Sequence, residues 1–456
     1  MTKEFYFSIS IVVTILVLFG IFLMNKVKTA RIGNIISAFA ILIAIITSVI
    51  YFKIIEERQL IYLVIVTVII GSIIGICIAL RIKMIRMPEL VALLNGLGGA
   101  ASAIVGAFSI IQNDDRFVLI TSMLALIIGI ITFVGSMIAG GKLAKIISAR
   151  PIIWKSQRII LNMFMVLLTL WVIFCSIITV LPIIIISVIV ILSGLFAFIF
   201  TIRVGGADMP ITISLLNSLS GVAGAIAGIA LGDIMLITIG AIVGSSGLVL
   251  TEIMSKAINR PLFDILSGKS VIKMNHHYEY LSKVNTENKE DPLIWLKQAK
   301  KIIIVPGYGM AVAQAQYLVK TLFDKLEKNH CEVKFAIHPV AGRMPGHMNV
   351  LLAEVGIDYD KLYEMDDIND EFASCDVTII IGANDVLNPA ARDAIGTPIY
   401  GMPILNVDYA PKIIIFNYDT KPGYSGVENP IYHRKEGIAF MLGDAKVTLE
   451  SIITKL

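Results

Sequence analysis

The residues of this chain that best suit a chemical role are two glycines in one short turn, Gly307 and Gly309. The β-branched run Ile302 to Val305 precedes the turn and is typical of a buried parallel strand. The glycines allow a tight turn and a close backbone approach to a ligand, and Met310 to Gln316 predicts a helix start whose N–H groups face a pyrophosphate. The motif therefore indicates a dinucleotide site, and the alternative is an ordinary strand–turn–helix corner with glycines for packing.

Three further glycine-rich turns follow predicted strands, at 341–348 (AGRMPGHM), 382–385 (GAND) and 422–426 (PGYSG). The carboxyl ends of parallel strands meet at one edge of a sheet, and ligands bind there. Arg343 suits a phosphate because its guanidinium can donate two parallel hydrogen bonds. His338 stands where an NAD enzyme of the usual kind places an acid after the second strand. The four turns together favour a dinucleotide, although not a typical NAD site.

Other catalytic patterns are missing from the sequence. The four cysteines form no C-x-x-C pair, and packing in apolar surroundings accounts for them. We expect no metal site. No Asp, Glu, Lys, Arg or His lies in the middle of an apolar run, and all six histidines fall at 276 or later. A proton path would therefore need water held by polar side chains, or a titratable group from another chain.

The first part of the chain is predicted to lie in a lipid bilayer. Hydrophobic residues make up 57% of the sequence. They form nine nearly uncharged runs of about 20 residues, the length that crosses hydrocarbon. These runs are 5–24, 33–52, 60–80, 90–111, 118–139, 159–179, 181–201, 210–231 and 234–254. We predict a transmembrane domain at 1–266, a linker at 267–292 and a cytoplasmic α/β domain at 293–456.

Basic residues indicate the orientation. Twelve Lys and Arg residues fall in the loops after spans 1, 3, 5 and 7, and four lie on the other side. The positive-inside rule then places the N-terminus outside and the C-terminal domain in the cytoplasm of a cell with this protein in its inner membrane. Topology explains this basic side, so we do not predict nucleic-acid binding.

An internal repeat organises the spans. MPELVALLNGLGGAASAIVG at 87–106 aligns without gaps on MPITISLLNSLSGVAGAIAG at 209–228. An offset of four spans predicts parallel copies, and the shared small residues predict that spans 4 and 8 meet through them. Each copy carries one asparagine, Asn95 in the first and Asn217 in the second. Such a residue either forms a hydrogen bond between helices or lines a water-filled path. Asp208 is the best carboxylate at the cytoplasmic mouth, with a solvated loop charge as the alternative, and Ser136 completes the predicted proton path.

The C-terminal segment alternates strand and helix patterns. Predicted strands are 302–305, 333–337, 361–364, 377–381, 403–407 and 413–416, and predicted helices are 310–328, 346–356 and 445–454. This alternation is typical of a doubly wound α/β sheet of the dinucleotide-binding, Rossmann-like type.

Several motifs resemble one family over nearly the whole chain. PGYGMAVAQAQY, IHPVAGRMPGHMNVLLAE, IGANDVLNPAA, GYSGVENP and GDAK are similar to the nucleotide domain of the beta subunit of proton-translocating NAD(P) transhydrogenases. MPELVALLN, GGADMP and VGSSG are similar to its membrane domain. The resemblance implies NADP(H) on this chain, NAD(H) on a partner alpha subunit, and Re/Si-specific hydride transfer coupled to inward proton movement. It also implies a dimer of complete units.

The resemblance further implies roles for individual residues. Asp385 resembles an aspartate that helps to switch the nucleotide site between occluded and open states, and the loop with Gly423 and Tyr424 would fold over the cofactor. Cofactor contacts are implied for Gly307, Tyr308, Gly309, Met310, Ala311, Val312, Val340, Ala341, Gly342, Arg343, Met344, Pro345, Gly382, Ala383, Asn384, Asp385, Lys421, Gly423, Tyr424, Gly443, Asp444 and Ala445.

Two departures from the family pattern concern function. Many relatives hold the 2′-phosphate with a Lys-Arg pair after the sixth strand, where the aligned stretch of this chain is Phe416-Asn417-Tyr418-Asp419. Lys421, Lys412 or Arg343 would have to substitute; otherwise the site has relaxed toward NAD(H). Some relatives carry a histidine at the position of Asn95, and in others a partner-subunit helix supplies it.

Two other functions would place spans before a nucleotide domain. One is a channel or transporter gated by a cytoplasmic dinucleotide-sensing domain, and the other is a membrane anchor for a soluble dehydrogenase. The AGRMPGHM block argues against the first, and the repeat with its paired asparagines argues against the second.

Overall fold

The structure is a computed structural model, and it describes the chain except for residues 25–26, 54–57, 83–85, 114, 149–150, 179–180, 206–207, 258–260, 267–289, 343–345, 398 and 424. The described residues form two compact units. The first is built mainly from Met1–Glu252, and the second contains every described residue from Glu290 onward. The predicted linker falls almost wholly outside the described residues, so its boundaries stay predictions.

The predicted number of spans is confirmed. Within the described residues, nine helices are long and apolar enough to cross a membrane, which makes this a multi-pass membrane protein. They are α1 (Lys3–Met24), α2 (Val27–Tyr51), α3 (Arg58–Arg81), α4 (Met87–Gln112), α5 (Arg116–Leu143), α6 (Gln157–Ile177), α7 (Pro182–Ile202), α8 (Met209–Leu231) and α9 (Ile234–Ala257). The two repeated blocks begin α4 and α8, each with Met-Pro in its first turn.

Spans 4 and 8 meet, as predicted, but not through the glycines that the two repeats share. A Cβ added to Gly99 would lie 2.8 Å from the carbonyl oxygen of Gly129 on α5. A Cβ added to Gly221 would lie 2.9 Å from the carbonyl oxygen of Gly240 on α9. Each glycine face therefore packs against the next helix in the chain, since helices joined by short loops are antiparallel neighbours. The α4–α8 contact uses other residues, among them Gly98, whose added Cβ would lie 2.6 Å from Ser220 Oγ.

Asp233, which the sequence analysis did not single out, joins three helices. Its Oδ1 caps the first turn of α9 by accepting from the backbone N–H groups of Met235 (2.9 Å) and Leu236 (3.2 Å). The hydroxyl of Tyr6 on α1 donates to the same oxygen at 2.5 Å, and Ser48 on α2 donates to Oδ2 at 3.3 Å. A buried carboxylate with four donors is well satisfied, so it ties the α1–α2 pair to α9.

We expect Asp233→Ala to lower the stability of the first unit by about 2–3 kcal/mol, because Tyr6 and the helix N–H groups would lose a charged acceptor. Asp115→Ala is the matched control. Asp115 caps α5 through Phe117 N–H in the same way, but it is exposed and bonds no other helix among the described residues, so only about 1 kcal/mol should be lost. The measurement is thermal unfolding in detergent. Equal losses for the two variants would show that the Tyr6 and Ser48 contacts contribute nothing.

The second unit contains a six-stranded sheet in which all pairs are parallel. The strands are β1 (Lys301–Pro306), β2 (Glu332–Ile337), β3 (Leu362–Glu364), β4 (Val377–Ile381), β5 (Ile413–Phe416) and β6 (Ile438–Phe440). Their order across the sheet is β3-β2-β1-β4-β5-β6. Every residue of β4 and β5 is buried, as expected for strands covered on both faces. The order reverses between β1 and β4.

The helices of the second part of the chain follow the sequence pattern with one interruption. They are α10 (Leu262–Leu266), α11 (Pro292–Gln298), α12 (Tyr308–Val312), α13 (Gln316–Lys328), α14 (His347–Glu354), α15 (Met365–Ile368), α16 (Ala390–Asp393) and α17 (Ala445–Ile453). The single helix predicted at 310–328 is wrong, because Gln314 adopts the left-handed conformation at φ 52° and separates α12 from α13.

One predicted strand is also wrong. Residues 403–407 are extended but join no ladder, and they end in a 3₁₀ turn at Val407–Tyr409. Their polar groups bond to loops instead, since Leu405 N–H donates to Val386 O and Asn369 donates to Ile404 O. The sixth strand is β6, which is only three residues long and was not predicted from the sequence.

Candidate functional site

The turns after β1 and β4 touch each other where the strand order reverses. The N–H groups of Gly307 and Gly309 donate to the carbonyls of Ile381 and Gly382, both at 2.8 Å. A Cβ on Gly307 would lie 2.5 Å from the Cα of Ala383, and one on Gly309 would lie 2.6 Å from the Cα of Gly382. The packing explanation for these glycines is therefore correct. It coexists with a ligand role, because ligands bind in the crevice at this reversal in open parallel sheets.

The short helix α12 begins directly after Gly307 and contains Tyr308, Met310, Ala311 and Val312. Met310 and Ala311 are buried, whereas Val312 is 55% exposed. Met310 thus anchors the turn in the core, while Tyr308 and Val312 lie nearer the surface of the carboxyl edge.

Asp385, in the turn after β4, holds the segment 421–429, which we call the lid. Its Oδ2 accepts from Ser425 N–H at 3.0 Å, and its Oδ1 accepts from the Ser425 hydroxyl at 2.7 Å. A Cβ on Gly423 would lie 2.6 Å from each carboxylate oxygen. Only glycine allows the lid backbone to come so near the carboxylate, so Asp385 and Gly423 lie together.

Three asparagines add to the hydrogen bonds between the β4 turn and the lid, which we call the latch. Asn384 Nδ2 donates to Lys421 O at 3.0 Å, and Asn429 Nδ2 donates to Asn384 Oδ1 at 3.0 Å. Asn388 Nδ2, fully buried, donates to Glu428 O at 3.2 Å. Both ends of the lid are thereby bonded to the β4 turn. Sequence analysis missed Ser425, Asn388 and Asn429, although the asparagines of N-P pairs at 388–389 and 429–430 marked turns.

The turn after β5 lies beside the same edge. Asn417 Nδ2 donates to Ala383 O (3.0 Å) and to the Tyr432 hydroxyl (2.9 Å), and Asn417 O accepts from Gly443 N–H (3.0 Å). Its Oδ1 is buried with no hydrogen-bond partner among the described residues. Asp444 caps α17 by accepting from Lys446 N–H at 2.8 Å, and Ala445 is buried behind it.

The lysines proposed as substitutes for the missing cationic pair differ in position. Lys412 precedes β5 and its Nζ lies 5.3 Å from the Trp295 ring centroid, so it belongs to the amino edge of the sheet. Lys421 follows β5, is 82% exposed and lies 3.5 Å from Asp419 Oδ2. Of these two, only Lys421 can reach a phosphate at the carboxyl edge. Arg343 lies outside the described residues.

The turn after β2 is built around buried His338. Its Nδ1 accepts from Val340 N–H at 3.3 Å, so Nε2 carries the proton that is donated to Pro403 O at 2.9 Å. Ala341 N–H donates to His338 O, and Gly342 adopts φ 108° beside His347. The predicted contacts Met344, Pro345 and Tyr424 lie outside the described residues.

Burial lowers the pKa of His338 to about 4, although its bond to Pro403 O acts in the opposite direction. An unfolded histidine titrates near 6.5, so the unfolded chain binds more protons between about pH 6.5 and 4. Stability should therefore fall through this window as the pH falls, by about 3 kcal/mol in total.

His338→Gln keeps a donor for Pro403 O and cannot titrate, so the variant should lose this pH dependence. The measurement is urea unfolding followed by the fluorescence of Trp295, with Trp154 and Trp171 replaced by Phe. An unchanged slope of stability against pH in His338→Gln would contradict the assignment.

The predicted proton-path residues divide into two groups. Asn95 on α4 is buried, and its Nδ2 lies 3.4 Å from Ile213 O on α8, one turn before Asn217. Ser136 is fully buried with no partner for Oγ among the described residues, and its Cβ lies 3.3 Å from a Cβ added to Gly96. Asn95 and Ser136 therefore lie where α4, α5 and α8 pack, and Asn217 lies one turn further along α8 than the carbonyl that Asn95 approaches. Asp208 precedes α8, about 13 Å from Asn217 along the helix axis, so it does not touch them.

The carboxyl edge suits a bound dinucleotide. Glycines let the two turns at the strand reversal pack closely, a lid is latched beside them, and Asn417 Oδ1 is a buried acceptor without a donor among the described residues. The fold and this site define a class: a multi-pass membrane protein with a parallel α/β unit whose carboxyl edge is suited to a ligand.

Comparison with known proteins identifies the family. The model of the family described as NAD(P) transhydrogenase beta subunit matches residues 7–455. The chain is 37% identical over 478 aligned positions to the NAD(P) transhydrogenase subunit beta of Rhodospirillum rubrum, and the alignment covers 99% of each chain. The same protein from a named strain of that species matches equally. The chain belongs to the NAD(P) transhydrogenase beta subunit family.

Proposed function

We propose that this chain binds NADP(H) at the carboxyl edge of its sheet and exchanges hydride with NAD(H) held by an alpha subunit, with Re/Si specificity. Hydride exchange is coupled to proton movement through the helical unit. The observation that carries the proposal is the lid latched by Asp385 beside the crevice between β1 and β4. Such a lid suits a cofactor that stays bound during turnover.

The strand order supports a doubly wound, dinucleotide-binding sheet. In sheets of order 3-2-1-4-5-6, a dinucleotide lies across the reversal and its pyrophosphate approaches the glycine turn after the first strand. The turn at Gly307 to Gly309 occupies that place here. The family resemblance and the edge geometry thus both support Gly307 and Gly309 as cofactor contacts.

Nicotinamide supplies the hydride chemistry when it is bound, and the protein must position it and exclude water. No acid, base or nucleophile is required for direct transfer. The lid provides the exclusion, since its backbone at Gly423 approaches the Asp385 carboxylate closely. Asp385 is therefore a lid-holding group. Lys421 is the described cation that would pair with the 2′-phosphate, competing with Asp419.

The proton path is proposed to run past Asn95, Ser136 and Asn217 to Asp208 at the cytoplasmic mouth. No titratable side chain accompanies the first three, so water or a group from the alpha subunit must carry the proton. The charge pattern supports an N-terminus outside and a cytoplasmic second unit in the cell membrane. A dimer of complete alpha–beta units is proposed from the family resemblance.

The two helix pairs α4–α5 and α8–α9 also support the proposed repeat. In each pair, glycines at repeat-equivalent positions bring the first helix against the next. Gly106 faces Leu126 on α5, and Gly228 faces Ile237 on α9. The equivalent packing favours two parallel copies around the asparagines.

The test is hydride exchange between NADPH and an NAD analogue in proteoliposomes that contain this chain with its alpha subunit, alongside a pH-sensitive dye. We expect exchange and pH change together. The beta subunit alone should bind NADP(H) yet move no protons, because it lacks the NAD(H) site. Nucleotide-dependent ion flux by the beta subunit alone would favour the gated channel or transporter instead, and absence of exchange in the complete complex would refute the proposal.

A further inference from the structure

Lys142, near the end of α5, is a buried cation that sequence analysis counted only among the loop charges. Its residue is 1% exposed, and it is among the largest fully buried side chains of the protein. It lies between Ala139 and Leu143, both members of a buried cluster with Val204 and Met209. An ammonium group in such surroundings is costly unless it is paired or hydrogen-bonded. Its partners therefore decide what it does.

The Nζ of Lys142 donates to the end of another helix. It bonds the carbonyl oxygen of Ile202, the last residue of α7, and that of Val204 at 2.7 Å. The last carbonyls of a helix have no partners within the helix and form the negative end of its dipole. Lys142 thus satisfies the end of α7 from a neighbouring helix and fixes where the chain leaves it.

Hydrogen bonds continue from this point to α8. Asp208 N–H donates to Gly205 O at 3.1 Å, directly after the residue that Lys142 holds. The Thr212 hydroxyl donates back to Asp208 O at 3.2 Å. The described part of the α7–α8 connection is therefore bonded from Lys142 through Asp208 into the first turn of α8. A shift at Lys142 would move Asp208 and the helix start together.

The helix positioned in this way is α8. It contacts Asn95 and carries Asn217, which are two of the proposed proton-path residues. Asn95 Nδ2 lies near Ile213 O, one helical turn beyond Met209. Asn217 follows one turn later. The contact at Lys142 therefore fixes the position of Asp208 and the register of α8 against α4.

We propose that Lys142 is a positioning residue for proton translocation: by binding the end of α7, it holds Asp208 and the start of α8 in the geometry that couples proton movement to hydride exchange. The inference rests on the proposed function. It adds to that function a residue outside the nucleotide site and outside the proposed proton path at Asn95, Ser136 and Asn217. Its role is mechanical, because it fixes the end of α7.

The test compares Lys142→Met with Lys145→Met in the alpha–beta complex. Both variants remove one positive charge from the end of α5, but Lys145 is exposed. Two quantities are measured: hydride exchange in detergent, where no gradient forms, and protons moved per hydride in proteoliposomes. For Lys142→Met we expect exchange in detergent to stay within about twofold and protons per hydride to fall at least about fivefold, whereas Lys145→Met should match the wild type in both.

Two controls distinguish a positioning role from a folding defect. They are the variant Lys142→Arg and the thermal unfolding temperature of each variant. Arginine keeps a charge with several donors, so it should restore part of the proton yield. A Lys142→Met variant with unchanged protons per hydride would overturn the proposal. Loss of both activities in parallel with a lower unfolding temperature, without recovery in Lys142→Arg, would also overturn it and indicate a structural role. Failure of the proposed function would look different, because the wild-type complex itself would then show no exchange.

Discussion

Gly382→Ala is expected to weaken NADP(H) binding by at least about 100-fold, corresponding to about 3 kcal/mol. Gly382 adopts φ 69°, which costs an L-residue about 1–2 kcal/mol. The new Cβ would also lie 2.5 Å from the carbonyl carbon of Gly309 and would press on Met310 N. These neighbours are backbone atoms of the β1 turn and cannot rotate away. The two turns that form the crevice would have to separate.

The matched control is Gly356→Ala. Gly356 has a similar φ of 76°, but no atom lies within 4 Å of its added Cβ. The control therefore carries the backbone strain without the collision between turns. Binding is measured by the fluorescence of NADPH titrated onto the detergent-solubilised chain, with thermal unfolding recorded in parallel. Equal binding by the two variants would show that contact between the β1 and β4 turns is not needed for the site.

Asp385→Ala is expected to release bound NADP(H) about 30-fold faster, which corresponds to about 2 kcal/mol. The substitution removes both acceptors of Ser425 and leaves its backbone N–H without a charged partner. Hydrogen bonds to a charged group contribute about 1.5–3 kcal/mol each when buried, and Asp385 and Ser425 are half-buried, so the lower part of the combined range applies. The measurement is stopped-flow displacement of NADPH by excess NADP⁺.

Ser425→Ala separates the two bonds to Asp385. It removes the hydroxyl donor and keeps the backbone N–H, so release should accelerate by about fivefold. The double variant should release no faster than Asp385→Ala, because the serine hydroxyl acts through the carboxylate. Ser451→Ala, on the exposed side of α17, is the control and should leave the rate unchanged. Additive effects in the double variant would contradict a shared latch.

Local patterns predicted most of the elements. Nine apolar runs became nine described helices, and five predicted strands became β1 to β5, because length and hydrophobic period are properties of a few adjacent residues. A predicted element was wrong where tertiary contacts overrode the local preference of the residues for strand or helix. Residues 403–407 have strand-like composition, but bonds to Val386 and Asn369 hold them away from the sheet.

The candidate site was predictable in its turns and not in its contacts. Glycine motifs located Gly307, Gly382 and Gly423, since turn geometry restricts residue type. The bond from Ser425 to Asp385 joins residues 40 positions apart, and neither the turn motif at 382–385 nor the one at 422–426 predicts it. The same holds for Asn417, whose orphan Oδ1 follows from the placement of Ala383 and Tyr432.

The sequence by itself determined a membrane domain followed by an α/β domain with glycine turns for a nucleotide, because hydrophobic length and turn chemistry are local. Tertiary structure alone decided which helix each glycine face meets, which carboxylate holds the lid, and that Lys142 is buried against the end of α7. These are pairings between distant segments. Lys142 and Lys145 look alike in the sequence, and only the neighbouring helix distinguishes a buried anchor from an exposed charge.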